Sequence, residues 1–167
     1  MSSILGKLDS YQILTSLLPG AFFVYILKFF LDVSLPTENG VESIVVYYFT
    51  GLVINRIGSL AIEPMLKKVR FIKHAPYPSF VKAERINSKI TTLSEMNNYT
   101  RSLLTSAILL PIIWILQALT EEWHWLAANW KTVAVICLIA IFLFSYRKQS
   151  KYVCSRVETV NSQSEET

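Results

Sequence analysis

Four stretches of the chain carry apolar residues almost without interruption, and charged or proline-containing connections separate them. A helix needs about 20 mostly apolar residues to cross a hydrocarbon core. The first stretch covers about Tyr11–Val33 and is interrupted only by Pro19-Gly20 and Lys28. The second, about Ser43–Ile62, carries Asn55 and Arg56. The third, Ser102–Thr120, has no charged side chain, and the fourth, about Trp125–Tyr146, holds only Lys131 near its start. A lysine there can snorkel to the interface and let the helix begin earlier. The pattern predicts an all-α membrane protein with four transmembrane helices.

The charges between these stretches predict an orientation. The connection Asp32–Glu42 has three acids and no Lys or Arg, and Thr120–Lys131 has Glu121 and Glu122 against one Lys. Between the second and third spans lie Lys67, Lys68, Arg70, Lys73, Lys82, Arg85 and Lys89, and after the fourth come Arg147, Lys148, Lys151 and Arg156. Basic segments stay on the cytoplasmic side, so both termini are expected there: N-in, C-in. Trp123, Trp125 and Trp130 gather at the opposite side, as an interfacial aromatic belt does. The expected location is therefore a membrane crossed several times, with the lipid bilayer as the first partner.

Residues Glu63–Arg101 form the only sizeable extramembrane segment. Pro64, Pro76 and Pro78 argue for an irregular start, with Ser79 as a helix N-cap. No Gly or Pro occurs from Phe80 to Leu110, so one helix is expected to run from the cytoplasm into span three. Such a helix reaches about 46 Å where the bilayer needs roughly 30 Å, leaving a projecting cytoplasmic stalk. Ala83, Ile86, Ile90 and Leu93 recur at 3, 4, 3 spacing along it, a seam suited to a partner helix. A second copy of the chain is the natural partner, so a homo-oligomer is expected. The expected partition is a helical hairpin over 1–66, a basic connection and helix over 67–101, a second hairpin over 102–146 and a polar tail over 147–167. The tail's end, from Val157, is polar and expected to be disordered.

Composition agrees with the pattern. The 167 residues are 52% hydrophobic and 17% charged, below the roughly one quarter charged of soluble domains; mean hydropathy is +0.39. The net charge of +4 is explained by topology as readily as by a nucleic-acid partner. If the fourth helix continues as far as Cys154, the 17 residues from Cys137 span about 25 Å, too far for a disulfide. No Cys/His spacing suits zinc, so neither a metal nor a cofactor is expected. No small-residue cleavage site follows the first apolar run, which is therefore expected to remain as a helix.

The informative residues are polar ones at membrane depth, which usually face a protein interior or a watery path. Asn55, Ser59 and Glu63 follow at i, i+4, i+8, and Arg56 lies two turns before Glu63. They make a polar stripe on the inner half of span two. The readings that stay open are a pore lining or gate, an intramolecular Arg56–Glu63 pair, or Arg56 snorkelling to inner phosphates. Gly51 and Gly58, seven apart, allow close helix approach. Lys28 either snorkels to the outer headgroups or stands at a pore mouth. Pro19-Gly20 predicts a kink. Lys82, Arg85 and Lys89 share a helix face; with Lys67, Lys68, Arg70 and Lys73 they offer a basic surface for a phosphate-rich ligand, or for anionic lipid. Phe71, Tyr77, Phe80 and Tyr99 are available to stack on bases.

Catalytic readings find little. His74 follows Arg70 by four, one residue short of an R-x(4–6)-H ribonuclease spacing, and His124 sits between tryptophans. No nucleophile elbow, P-loop or HExxH occurs, so an enzyme is not expected.

Leu17-Leu18-Pro19-Gly20, then Asn55-Arg56-Ile57-Gly58-Ser59-Leu60 leading into Glu63-Pro64, resembles small multi-pass effectors of bacterial anti-phage defence. These include the Hailong-type effector and the accessory pore protein of type VI-B CRISPR systems. The resemblance covers about residues 10–110 and implies a homo-oligomeric pore that sits in, and depolarises, the bacterial inner membrane. It also implies gating by a cytoplasmic ligand, for the Hailong-like case single-stranded DNA. The alternative is a non-conducting anchor or adaptor that recruits a cytoplasmic protein through its basic helix. A transporter subunit is disfavoured by small size and the lack of an inverted repeat.

Overall fold

The computed structural model describes residues 2–31 and 39–164, and these are all-helical. In chain order the elements are α1 (Ser2–Leu31), α2 (Gly40–Ile57), a π-helical turn (Gly58–Ile62), α3 (Glu63–Lys68), α4 (Tyr77–Ile86), α5 (Lys89–Glu122) and α6 (His124–Ser164). Among the described residues three helical stretches are long and apolar enough to cross a membrane: Gly40–Lys68, Lys89–Leu119 and Ala127–Ser162. A fourth, Thr15–Phe30 within α1, is apolar but shorter. Most of the acidic connection between α1 and α2 lies outside the described residues, as do the last three residues of the chain.

Small residues set the packing. α1 lies against α2 at Gly20 and Gly51, each facing the partner's backbone. A Cβ on Gly20 would overlap the Tyr47 carbonyl, and one on Gly51 the Ser16 carbonyl. Hydrogen at these two positions lets the helix backbones touch. Phe23, Leu27 and Ile54 form the buried core beside this contact, with Leu109, Leu110 and Ile113 of α5 closing it. On α5, Ser102, Thr105 and Ser106 are fully buried. Their hydroxyls donate to the carbonyls of Asn98, Arg101 and Ser102. Each polar side chain is thereby satisfied within its own helix, leaving a narrow, effectively apolar surface. Gly58 takes its place on that surface, where a Cβ would stand 2.5 Å from Thr105 Oγ1. Pro19 and Pro111 both lie inside continuous helices.

α6 is attached more loosely. Val135, Ile136, Ile139, Leu143 and Phe144 of its apolar half are more than half exposed. Phe49–Phe142 is a ring contact there, at 6.3 Å. Its polar contacts to other helices lie beyond Ser145, from Lys148 to Ser59 and Glu63 and from Arg156 to Glu84. No Gly or Pro occurs after His124, so nothing in the sequence stops the helix at Tyr146. It runs on to Ser164, and the tail expected to be disordered from Val157 is helical that far. Cys137 and Cys154 are free thiols on this one helix.

The expected continuous helix from Phe80 to Leu110 is broken. Asn87 is extended (φ −138°, ψ 108°), and its Oδ1 accepts the Lys89 amide at 3.0 Å. An asparagine side chain competing for the backbone in this way ends one helix and starts another. α4 therefore folds back instead of projecting as a stalk. Glu84 pairs with Arg156 of α6 at 3.0 Å and accepts from the Thr91 hydroxyl at 3.3 Å. The seam of Ala83, Ile86, Ile90 and Leu93 is split between two helices, with Ile86 87% exposed. Ser79 is not the N-cap: α4 already begins at Tyr77, after Pro76.

Gly51→Val is expected to cost at least ~3 kcal/mol, the upper range for overpacking, because backbone rather than a side-chain tip blocks it. Gly40→Ala, with open space around the new Cβ, is expected to be neutral. Thermal unfolding in detergent micelles separates the two.

Candidate functional site: a buried carboxylate beside a basic cleft

The site grows from Pro64. In a regular α-helix its ring would collide with the Leu60 carbonyl, and its missing amide would leave an acceptor unpaired. The chain widens instead into the π-helical turn Gly58–Ile62, where the Glu63 amide donates to the Gly58 carbonyl five residues back. The Ser59 carbonyl then has no amide donor in register, since residue 64 is proline. Lys148 of α6 supplies one: its ammonium donates to Ser59 O at 2.6 Å and to Ser59 Oγ at 2.7 Å. π-turns recur at functional sites for this reason, that they free backbone groups.

Glu63 begins the next turn with its side chain only 6% exposed. A buried carboxylate is tolerated only when paired, and cations reach it from three directions. Lys67 Nζ lies 2.7 Å from Oε1, one turn on. Arg101 of α5 donates from NH1 to Oε2 at 2.6 Å and from NH2 to Asn55 Oδ1 at 2.9 Å. Lys148 is 3.7 Å from Oε2. His74 Nδ1 is 3.7 Å from Oε1, brought back by a turn at Arg70. That residue adopts φ 58°, while Arg70 and Phe71 amides donate to the Lys67 and Leu66 carbonyls. This is a Schellman cap with arginine where glycine is usual.

These groups border a cleft of about 730 Å3. Its polar side holds Arg56, Lys67, His74, Arg101 and Lys148 against one acid, Glu63. Its lining also includes Tyr77, Phe80 and Tyr152, with Tyr77 and Tyr152 ring centroids 5.4 Å apart. Burial, and next the positive charge of Lys67, hold the His74 imidazole below its ordinary pKa. Arg101 Nε is buried without an acceptor.

Asn55, Ser59 and Glu63 thus converge in one network, as their spacing predicts. Arg56 lines the cleft but is not the partner of Glu63; Arg101 takes that position. Among the described residues Arg56 has no ion pair. Lys28 is exposed in the last turn of α1 and stands apart from the cleft. Of the expected ligand residues, Lys67 lines it, whereas Lys68, Arg70, Lys73, Lys82, Arg85 and Lys89 are exposed outside its lining. Tyr77 and Phe80 belong to the cleft; Phe71 and Tyr99 do not. Arg101 and Lys148 do not stand out in the sequence because each is one of several basic residues flanking a span. The need of Glu63 for a counter-charge is the signal that finds them. No group of His, Cys, Asp and Glu among the described residues could hold a metal.

Glu63→Gln is expected to cost ~3–5 kcal/mol, since it strands cations that the carboxylate neutralises. Arg56→Gln is expected to stay within ~1 kcal/mol, because no partner is lost. Thermal unfolding in detergent reads both. His74 gives a pH dependence of definite sign. With its folded pKa depressed, its contribution is full above the ordinary imidazole value near 6.5 and is lost as pH falls through the folded value. Midpoints measured from pH 7.5 down to 5 are expected to fall, and His74→Gln to flatten that dependence.

Comparison with protein-family models, curated proteins and solved structures yields no match.

Proposed function

We propose that the protein is a homo-oligomeric pore of the bacterial inner membrane that depolarises the cell, a role suited to anti-phage defence. In this reading four helices span the bilayer, and the basic end, with both termini, faces the cytoplasm. The observation that carries the reading is the Glu63 network. One carboxylate ties the end of α2 and α3 to α5 and α6 through ion pairs at the edge of an open basic cleft. Displacing Lys148 frees α6 to shift against the close-packed α1, α2 and α5, so the network acts as a latch on α6. A cytoplasmic anion entering the cleft competes with Glu63 for these cations and sets the latch. The exposed apolar half of α6 supports assembly, because a second copy can cover it where one copy leaves it to lipid.

A second reading, a non-conducting anchor that recruits a cytoplasmic protein, draws on the exposed Lys82, Arg85 and Lys89 around α4. It predicts that charge reversal at these three abolishes partner recovery while liposomes stay ion-tight.

Membrane potential in expressing cells and ion flux from proteoliposomes test the pore. The wild type is expected to depolarise above a threshold expression level. Lys148→Gln, which removes two bonds to Ser59 and one cation from Glu63, is expected to lower that threshold. Polarised cells at every level with both proteins, or a strict monomer in detergent, would overturn the pore reading.

A further inference from the structure

Glu63 cannot neutralise the cleft it borders. Its oxygens are engaged at hydrogen-bond distance by Lys67 and Arg101, yet Arg56 and Lys148 line the same concave volume. Four Lys and Arg side chains therefore share it with one acid. Such cations repel one another, and their donors are costly where acceptors are few. Among the described residues the Arg56 guanidinium forms no ion pair, and Arg101 Nε is buried without an acceptor. The chemistry that complements this set is a multiply charged oxyanion. Guanidinium forks match phosphate oxygens in pairs, and an ammonium adds a compact point charge.

The volume says more. About 730 Å3 is far larger than a bare ion and lies within the roughly 300–1,000 Å3 of sites for organic ligands. The lining is also aromatic: Tyr77 stands 5.4 Å from Tyr152 and 6.5 Å from Phe80, ring to ring, and the Lys148 ammonium lies 5.8 Å from the Tyr152 centroid. Asn97, Asn98 and Gln149 add neutral donors and acceptors around it.

We infer that this cleft binds a small organic phosphate. The phosphate lies against Arg56, Arg101 and Lys148, and the organic body against Tyr77, Phe80 and Tyr152. The inference deepens the ligand-gated reading and rests on it only for the consequence of binding. Two sources carry this chemistry, a phospholipid headgroup and a soluble phosphomonoester, and the experiment distinguishes them.

Full-length protein is placed in nanodiscs of phosphatidylcholine, with and without phosphatidylglycerol, and titrated with phenyl phosphate by calorimetry. Saturable binding is expected, weakened about tenfold or more by Arg56→Gln. Among the described residues that variant loses no ion pair, so it should fold as the wild type does. A Lys82→Gln/Arg85→Gln/Lys89→Gln triple variant should bind as the wild type does. Affinity unchanged by phosphatidylglycerol supports a soluble ligand. Loss of phenyl phosphate binding in the presence of that lipid, reversed in phosphatidylcholine alone, supports a headgroup in the same site. Absence of saturable binding in phosphatidylcholine overturns the inference. So does binding that ignores Arg56→Gln but disappears in the triple variant, which would put the site on the α4 surface. No conductance enters this test, so a bound but non-conducting protein keeps the site and defeats the pore, and the reverse result does the opposite.

Discussion

A single carboxylate, buried at the foot of the helix bundle, constrains nearly everything around it. Glu63 can stay ionised out of water only if cations reach it, and they arrive from the next turn, from α5 and from α6. Pro64 beside it withholds an amide, the helix widens, and the Ser59 carbonyl opens to Lys148. One residue thus fixes the acid, and its neighbour fixes the acceptor that draws in the same lysine. Arg101 closes the arrangement by bonding Asn55 and Glu63 together.

The rest of the packing divides along that joint. α1, α2 and α5 approach closely through Gly20, Gly51 and Gly58 and the self-satisfied hydroxyls of Ser102, Thr105 and Ser106. Such contacts tolerate little movement, since any shift drives backbone into backbone. α6 has few of them and holds on chiefly through polar contacts at one end, to Ser59, Glu63 and Glu84. A rigid trio with one helix secured by charge is the arrangement that the proposed anion gating requires. Ion pairs can be exchanged for another anion; interlocked glycines cannot.

The helices themselves were legible in the sequence because twenty apolar residues with few charges have few other uses. The stripe of Asn55, Ser59 and Glu63 was legible too, since period 3.6 puts them on one face. The partners of that stripe were not. Arg101 and Lys148 are 38 and 85 residues from Glu63 in sequence, and each resembles an ordinary topogenic charge until its neighbour is known. The helix break at Asn87 was signalled only by a residue that also occurs within helices, and its competing Oδ1 bond became evident in three dimensions. The far end of α6 misled for the opposite reason: polar composition suggested a tail, while the lack of Gly and Pro allowed the helix to continue.

The most direct measurement is charge exchange across the central pair. Glu63→Arg and Arg101→Glu are each introduced alone and then together, and folded protein is quantified by size-exclusion profile and thermal midpoint in detergent. The expected result is severe loss in each single variant and substantial recovery in the double, because the exchanged pair again joins α3 to α5. A double variant no better than the worse single variant would contradict the claim that this ion pair holds the bundle together.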